Sequence, residues 1–341
     1  MLIILGTWNS LGQNLTENRL HEALKGLKDH DIEIATLIID DNWQSIDQRQ
    51  NDGPEPGWRD FEANHEAFPD GLKVTVDRIR KKNPLIRNIA VWHAILGYWG
   101  GISKSGEIAQ RYKTIELKQS NGSVITVVDK DDISKLYNDF YRFLSEAGID
   151  GVKTDDQVAL DLWTSASARR ELTSEYFDSW TIAALRHLNF KAISCMSQFP
   201  QALFHSQLPQ NRPPMVVRNS DDFFPEIPAS HTWHVWANAH NSIFMQYLNV
   251  IPDWDMFQTS HDFGGFHAAA RCVSGGPIYI TDAPGQHDKR VIDAMTGKEP
   301  QGSTVTFRPS VIGKSIYPYA EFDGNTLLKV GAYNGMVPVS T

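Results

Sequence analysis

Cysteine is nearly absent from this chain of 341 residues: only Cys195 and Cys272 occur, both in apolar surroundings. Two thiols cannot form a disulfide framework at this length, so buried free thiols of an intracellular protein are expected. Positive charge is also in short supply, with 32 Lys and Arg against 41 Asp and Glu and a net charge of −9. No basic stripe exists to displace phosphate counterions, which argues against a nucleic-acid partner. Apolar runs are short. None approaches the roughly 20 residues of a membrane helix, and the opening Met1-Leu-Ile-Ile-Leu-Gly lacks the basic region of a signal peptide. The reading is a cytoplasmic chain with no membrane partner. The Gly-x-Ser-x-Gly elbow, the P-loop and the dinucleotide glycine fingerprint are missing too, which disfavours serine hydrolases, NTPases and Rossmann dehydrogenases. His231-x-x-His234 offers two imidazoles at helical spacing, but without a zinc-protease Glu or a Cys cluster. Neither a metal nor any other cofactor is expected.

What is present is core-forming text, 41% hydrophobic with 10 Trp, enough for a large α/β core. Strand-like runs fall near 2–8, 33–40, 88–94, 149–154, 191–196, 215–219, 248–253 and 277–281. Most are continuously apolar, the pattern of parallel strands buried on both faces. Helical text lies between them, near 17–29, 62–82, 131–147, 166–188, 231–246, 260–273 and 288–296. Eight strands with intervening helices predict a (β/α)8 TIM barrel over residues 1–302. The β-rich text of 303–341 reads as the start of a C-terminal β domain, truncated here. Two connections exceed ordinary βα loops: the Pro/Gly-rich 44–61, and 97–130, which contains a hairpin turning at Asn121-Gly122. Both follow a strand's C-terminal end, so both are candidate substrate walls.

The chemistry concentrates at those strand ends. Gly151-Val-Lys-Thr-Asp155-Asp156 and Arg218-Asn-Ser-Asp221-Asp222 each close an apolar run with aspartates beside a fixed cation. Two carboxylates facing one pocket are what glycosidic bond cleavage needs, one as nucleophile and one as proton donor. Strand alternation puts Lys153 and Asp155 on one side, which makes Asp156 the weaker nucleophile. By the same count Arg218 and Asp222 share a side, which favours Asp222 over Asp221 unless a bulge shifts the register. Asp40, Asp41, Trp43, Trp8, Trp92, His93, Asp253 and Trp254 fall at other strand ends. Carboxylates accept hydrogen bonds from sugar hydroxyls, and indole faces pack on the apolar side of a pyranose. Asp255 and Asp282 weigh more as loop anchors, and Trp58 and Trp163 more as packing residues.

The ordered set Asp40-Asp41-Asn42-Trp43, Gly151-Val-Lys-Thr-Asp155, Arg218-Asn-Ser-Asp-Asp222-Phe-Phe-Pro, Pro252-Asp-Trp-Asp-Met-Phe-Gln258 and Gly275-Gly-Pro-Ile-Tyr-Ile-Thr-Asp282 resembles the raffinose synthase and seed-imbibition-protein group. That group comprises the alkaline α-galactosidases of glycoside hydrolase family 36. The resemblance implies a retaining barrel glycosidase with Asp155 as nucleophile and Asp222 as acid/base. It further implies that Asp40 and Asp41 bind galactose hydroxyls with Trp43 alongside, and that Lys153 and Arg218 contact the sugar. Members of the group carry an N-terminal β-sandwich and a full C-terminal β domain, so this chain reads as shortened at both ends, with self-association an expected result.

The functional expectation is therefore a retaining α-galactosidase acting on raffinose-type oligosaccharides through a galactosyl-Asp155 intermediate. The nearest rival is a raffinose- or stachyose-synthase-type galactosyltransferase, which uses the same aspartates with a sugar acceptor in place of water. A non-catalytic sugar-binding barrel is the more distant one.

Overall fold

The computed structural model describes residues 3–49, 54–205, 213–300, 302 and 304–335. Short parallel strands alternate with helices along it, and contacts divide the chain into two units. One comprises Leu11–His21 and Ile38–Leu208; the other comprises Met1–Ser10, Glu22–Leu37 and Pro209–Thr341.

In the unit of Leu11–His21 and Ile38–Leu208, strand Gly151–Asp155 is bracketed in parallel by Asn88–Ala94 and Ala192–Ser194. Every residue of Gly151–Asp155 is buried, including Lys153 and Asp155. A charged side chain in such a strand must find a partner, and this requirement shapes the site below. Gly151 is demanded by the neighbouring backbone, because a Cβ there would lie 2.6 Å from the Lys191 carbonyl oxygen. The helix Lys130–Glu146 begins where Asp129 accepts a bond from the Asp131 N–H, and it buries Ile133, Leu136, Tyr137, Phe140, Tyr141 and Leu144. Their spacing of three and four residues forms a single apolar stripe. The following helix, Ala166–Leu188, is capped by Ser165 and stopped by Asn189 in the left-handed region.

Both long connections carry structure. Thr114–Lys118 and Val124–Val128 form the expected hairpin, with Gly122 at φ +90° in its turn. The 44–61 connection, read from sequence as a loop, contains Gln44–Ile46 paired antiparallel with Trp58–Ala63. Its residues 50–53 lie outside the described residues. The helix expected from residue 62 starts only at Gly71. Pro69 cannot continue a helix hydrogen-bond ladder, and Glu62 instead turns its carboxylate to the Leu72 N–H at 2.7 Å.

In the other unit, Ile3–Gly6 pairs in parallel with Tyr279–Ile280, and Met215–Arg218 with Val250–Asp253. The second register sets Arg218 opposite Asp253. The strand read at 2–8 therefore ends at Gly6, and Trp8 opens a short helix, Trp8–Leu11; residue 2 lies outside the described residues. Helices Pro228–Met245 and Gly264–Ser274 supply Val235, Ala239 and Ala270 to a core cluster with Trp254. The β-rich C-terminal text forms two antiparallel pairs, Thr296–Lys298 with Thr304–Thr306 and Val311–Ser315 with Val330–Tyr333. Val330 packs against that core cluster. Residues 336–341 of this segment lie outside the described residues. Among the described residues no helix is long and apolar enough to cross a membrane.

The close approach at Gly151 yields a stability prediction. Gly151→Ala should lower stability by about 1–3 kcal/mol, as overpacking against backbone does. Gly265→Ala, whose Cβ would meet nothing within 4 Å, should change it by less than about 0.5 kcal/mol. Urea midpoints with unchanged slopes test both, and equal midpoints would remove the packing argument.

Candidate active site

The sequence-predicted residues fall into two clusters, one in each unit. The first is built on strand Gly151–Asp155. Lys153 places its Nζ between both carboxylate oxygens of Asp40, at 2.9 and 3.2 Å, with both side chains buried. Alternation suggests the ammonium as a neighbour of Asp155; the structure binds it to Asp40, the residue that follows strand Ile34–Ile39. Asp155 accepts from the indole N–H of Trp92 at 2.9 Å on one oxygen and from the Asp156 N–H at 2.8 Å on the other. Each carboxylate oxygen is thereby oriented, which is the preparation a nucleophile requires. Asp156 itself sits at φ +53°, a left-handed conformation uncommon for a non-glycine residue.

Asp41 extends this cluster. Its oxygens accept from the Asn42 N–H at 2.6 Å and the Trp99 indole N–H at 3.0 Å. Burial raises its pKa, opposed by bonds from Trp99, Tyr98 and Asn42. Arg49 donates to the Tyr98 hydroxyl at 2.7 Å. Behind the strand, His93 is buried between the Tyr141 hydroxyl and the Ala94 carbonyl, and burial pushes its pKa down to about 4.

Trp43 takes a different place from the expected one. It has no exposed surface, and its indole N–H donates to the Trp92 carbonyl at 2.6 Å. It has no face to offer a sugar and instead fixes the backbone of the residue that holds Asp155. Trp254 is likewise fully buried, its N–H on the Ser242 hydroxyl at 3.2 Å. Trp8 is half-buried.

The second cluster surrounds Arg218, the last residue of its strand. The guanidinium is buried and meets Asp253 at 3.3 Å, Asp255 at 2.7 Å and the Tyr279 hydroxyl at 3.0 Å. Tyr279 also donates to Asp253 at 2.6 Å. The remaining nitrogen reaches Asp222 at 2.9 Å, and Asp222 is 38% exposed while its partner is 1% exposed. Asp221 is exposed. Strand alternation cannot choose between these aspartates, because the strand ends at Arg218 and the chain returns through a turn. In that turn it is Asp222 that comes back to the guanidinium.

Asp255 and Asp282 are anchors. Asp255 accepts from the Phe223 N–H at 2.7 Å, and Asp282 ties the N–H groups of Thr259 and Ser260 at 2.6 and 3.0 Å. Sequence reasoning gives no role to Trp99, Tyr98 or Tyr279, and it sets Trp92 and Asp253 among the strand-end sugar-binding set, where the structure instead turns them to Asp155 and Arg218. One signal was available: the glycines flanking Tyr98-Trp99. Gly97 and Gly101 have φ of +104° and +73°, and a Cβ on Gly100 would lie 2.1 Å from the Glu55 carbonyl oxygen. Such a forced turn after a strand presents its two aromatics in one direction only. Left-handed non-glycine residues follow four strand ends in the two units: Asn42, Asp156, Met196 and Asp255. Among the described residues no group of three or more His, Cys, Asp or Glu is placed to hold a metal ion.

Comparison with known proteins agrees in fold and family. The chain resembles the solved α-galactosidase of Thermus thermophilus, in complex with p-nitrophenyl α-D-galactopyranoside, at a TM-score of 0.59 and 14% identity over 86% of this chain and 60% of that one. Among curated proteins it is 30% identical to "Probable galactinol–sucrose galactosyltransferase 6" of Arabidopsis thaliana, over 98% of this chain and 48% of the relative. It is 27% identical to a galactinol–sucrose galactosyltransferase of Oryza sativa subsp. japonica, over 96% and 47% respectively. The chain thus spans about half the length of the curated relatives it matches. The model of the family described as raffinose synthase or seed imbibition protein Sip1 matches residues 55–339, and the chain belongs to that family.

Proposed function

We propose that the chain carries the catalytic centre of a galactosyltransferase that moves an α-galactosyl group from galactinol to a sucrose-type acceptor. The observation that supports transfer over simple hydrolysis is the likeness, over nearly all of the chain, to relatives named as galactinol–sucrose galactosyltransferases. An α-galactosidase activity shares every step except the acceptor, and water becomes the second substrate when no sugar is bound. A closed (β/α)8 barrel over residues 1–302 is the architecture proposed with this reading, supported by the likeness to α-galactosidases in fold.

In the proposed mechanism Asp155 attacks the anomeric carbon and the galactosyl–oxygen bond of the donor breaks. Asp222 gives its proton to the departing oxygen, and then removes one from the incoming acceptor hydroxyl as that oxygen displaces Asp155. The anomeric configuration is inverted twice and so retained. The bonds from Trp92 and the Asp156 N–H support Asp155 as the nucleophile, because they aim both carboxylate oxygens without a proton between them. The ion pair to Arg218 supports Asp222, since it holds a partly exposed carboxyl in one place. Asp40 and Asp41 are proposed to accept bonds from galactose hydroxyls. A site built around such acceptors rejects the epimer that leaves one unpaired.

Asp156 has a separate part. Burial, reinforced by the charge of Asp155, pushes its pKa up to about 8. Near neutral pH it holds a proton, which keeps a second charge away from the nucleophile.

The reading is tested by the products from galactinol. With sucrose added, galactose should appear mainly as raffinose; free galactose alone, unaffected by sucrose, would favour the hydrolase. Asp155→Asn should abolish both products while circular dichroism stays unchanged. Asp222→Ala should slow galactinol turnover by about 10²–10⁴-fold and p-nitrophenyl α-galactoside far less, because a good leaving group needs no proton. If Asp221→Ala shows that contrast instead, the acid is the wrong aspartate.

The raised pKa of Asp156 also sets a stability trend. Its folded value of about 8 lies above the unfolded one, so the folded state binds the extra proton. This contribution to stability is fully present below pH about 4 and is lost as pH rises through about 8. Asp156→Asn should flatten that decline, and an identical slope between pH 6 and 9 in denaturant midpoints would show that Asp156 is ionised throughout.

A further inference from the structure

Three residues outside the sugar-binding set form a chain behind the Asp222 turn. Arg271 is buried on helix Gly264–Ser274 and brings its Nη1 within 2.7 Å of His267 Nδ1. His267 Nε2 lies 2.8 Å from His231 Nδ1, and His231 Nε2 lies 3.2 Å from the Pro225 carbonyl oxygen. The protons in this chain have only one arrangement. Guanidinium nitrogen donates and never accepts, so His267 Nδ1 must accept. A neutral His267 then carries its proton on Nε2 and donates to His231 Nδ1. His231 in turn carries its proton on Nε2 and donates to the carbonyl, which accepts as it must.

The chain ends on the turn that presents Asp222. Pro225 is three residues beyond it, and the Phe223 ring between them stands edge-on to His267 and His231, at 5.0 and 5.6 Å. Arg271 also donates Nε to the Asp255 carbonyl and Nη2 to the Met256 carbonyl, each at 3.1 Å. Asp255 in turn accepts the Phe223 N–H and binds Arg218. A single buried guanidinium therefore secures the turn by two routes, one through the imidazoles and one through Asp255.

We propose that Arg271, His267 and His231 are positioning residues for Asp222, linked in one directed hydrogen-bond relay of two neutral imidazoles. The proposal rests on Asp222 as the proton donor. Burial is the main cause that keeps both imidazoles below their ordinary pKa, with Arg271, His234, His231 and His261 adding to it for His267. The Pro225 carbonyl opposes it for His231, where His261 and Arg271 act with burial. His261 stacks on His231 at 4.4 Å, and of the carboxylates acting on Arg271 the charge of Asp255 counts most, followed by Asp253.

The direct test is the tautomer. Long-range ¹H–¹⁵N spectra of the ¹⁵N-histidine-labelled full chain should show His231 and His267 both protonated at Nε2 and unprotonated at Nδ1, unchanged from pH 5.5 to 8. An Nδ1–H tautomer or a titration in that range at either ring would overturn the relay, whatever the enzyme's activity. The positioning role is read from kinetics. His231→Leu should lower kcat on galactinol by about 10²-fold with KM little changed, and lower it on p-nitrophenyl α-galactoside by less than about 3-fold. His231→Gln, which keeps an acceptor and a donor, should recover most of the loss. Equal losses on both substrates would make the relay merely structural. Failure of Asp222→Ala to show any leaving-group dependence would refute the catalytic reading while leaving the tautomer result to stand or fall alone.

Discussion

Strands buried on both faces leave no solvent for a charge, and each of the two clusters is organised by that constraint. Lys153 and Arg218 project from such strands, and each is permissible only because carboxylates meet it. Asp40 closes on Lys153 with both oxygens, while Asp253, Asp255 and Asp222 share Arg218 with the Tyr279 hydroxyl. Ion pairs of this kind contribute little net stability, because desolvation consumes most of their attraction. Breaking one by removing a single partner is costly, however, so they fix geometry far more than they add free energy. The cations thereby become rigid reference points from which carboxylates and hydroxyl acceptors are measured out.

The two clusters solve a similar problem with different materials. Around Asp155 the donors are an indole and a main-chain amide, groups that cannot change charge. Around Asp222 the donor is a guanidinium already occupied by other acids. A carboxylate that must stay nucleophilic is suited by neutral donors with fixed aim. One that must exchange protons is suited by a partly exposed place beside a cation whose charge is shared out. The environments differ as the two tasks proposed for these aspartates would differ.

Much of this was legible in the sequence, and the reason is periodicity. The strand Asn88–Ala94 and the helices Glu17–Asp29 and Ala166–Leu188 match the text boundaries residue for residue, the last of them set by its Ser165 cap and Asn189 stop. The Arg-x-x-x-Asp spacing matches an ion pair in the structure, Arg218 with Asp222, whereas the Lys-x-Asp spacing suggests a pairing that Asp40 takes instead. Other features depend on contacts distant in sequence, to which local patterning is blind. That Lys153 chooses Asp40, 113 residues away, is a pairing no local pattern announces. That Trp43 is enclosed follows from the Trp92 carbonyl, 49 residues on. The hairpin strand Trp58–Ala63 was hidden because its apolar residues are too few to declare a period, and Trp99 because nothing in its own neighbourhood marks its partner.

The left-handed residues after the strands bear on how such a protein could be improved. Asn42, Asp156, Met196 and Asp255 each hold a backbone shape that costs an L-residue about 1 kcal/mol or more, and glycine would relieve it. A selection for thermal endurance alone would be drawn to these four positions first. Three of them carry or adjoin carboxylates whose direction the backbone sets, so each gain in endurance would loosen the aim of a neighbouring acid. Robustness and activity are coupled here through a handful of dihedral angles, and a library that randomises the strand ends would find them in opposition.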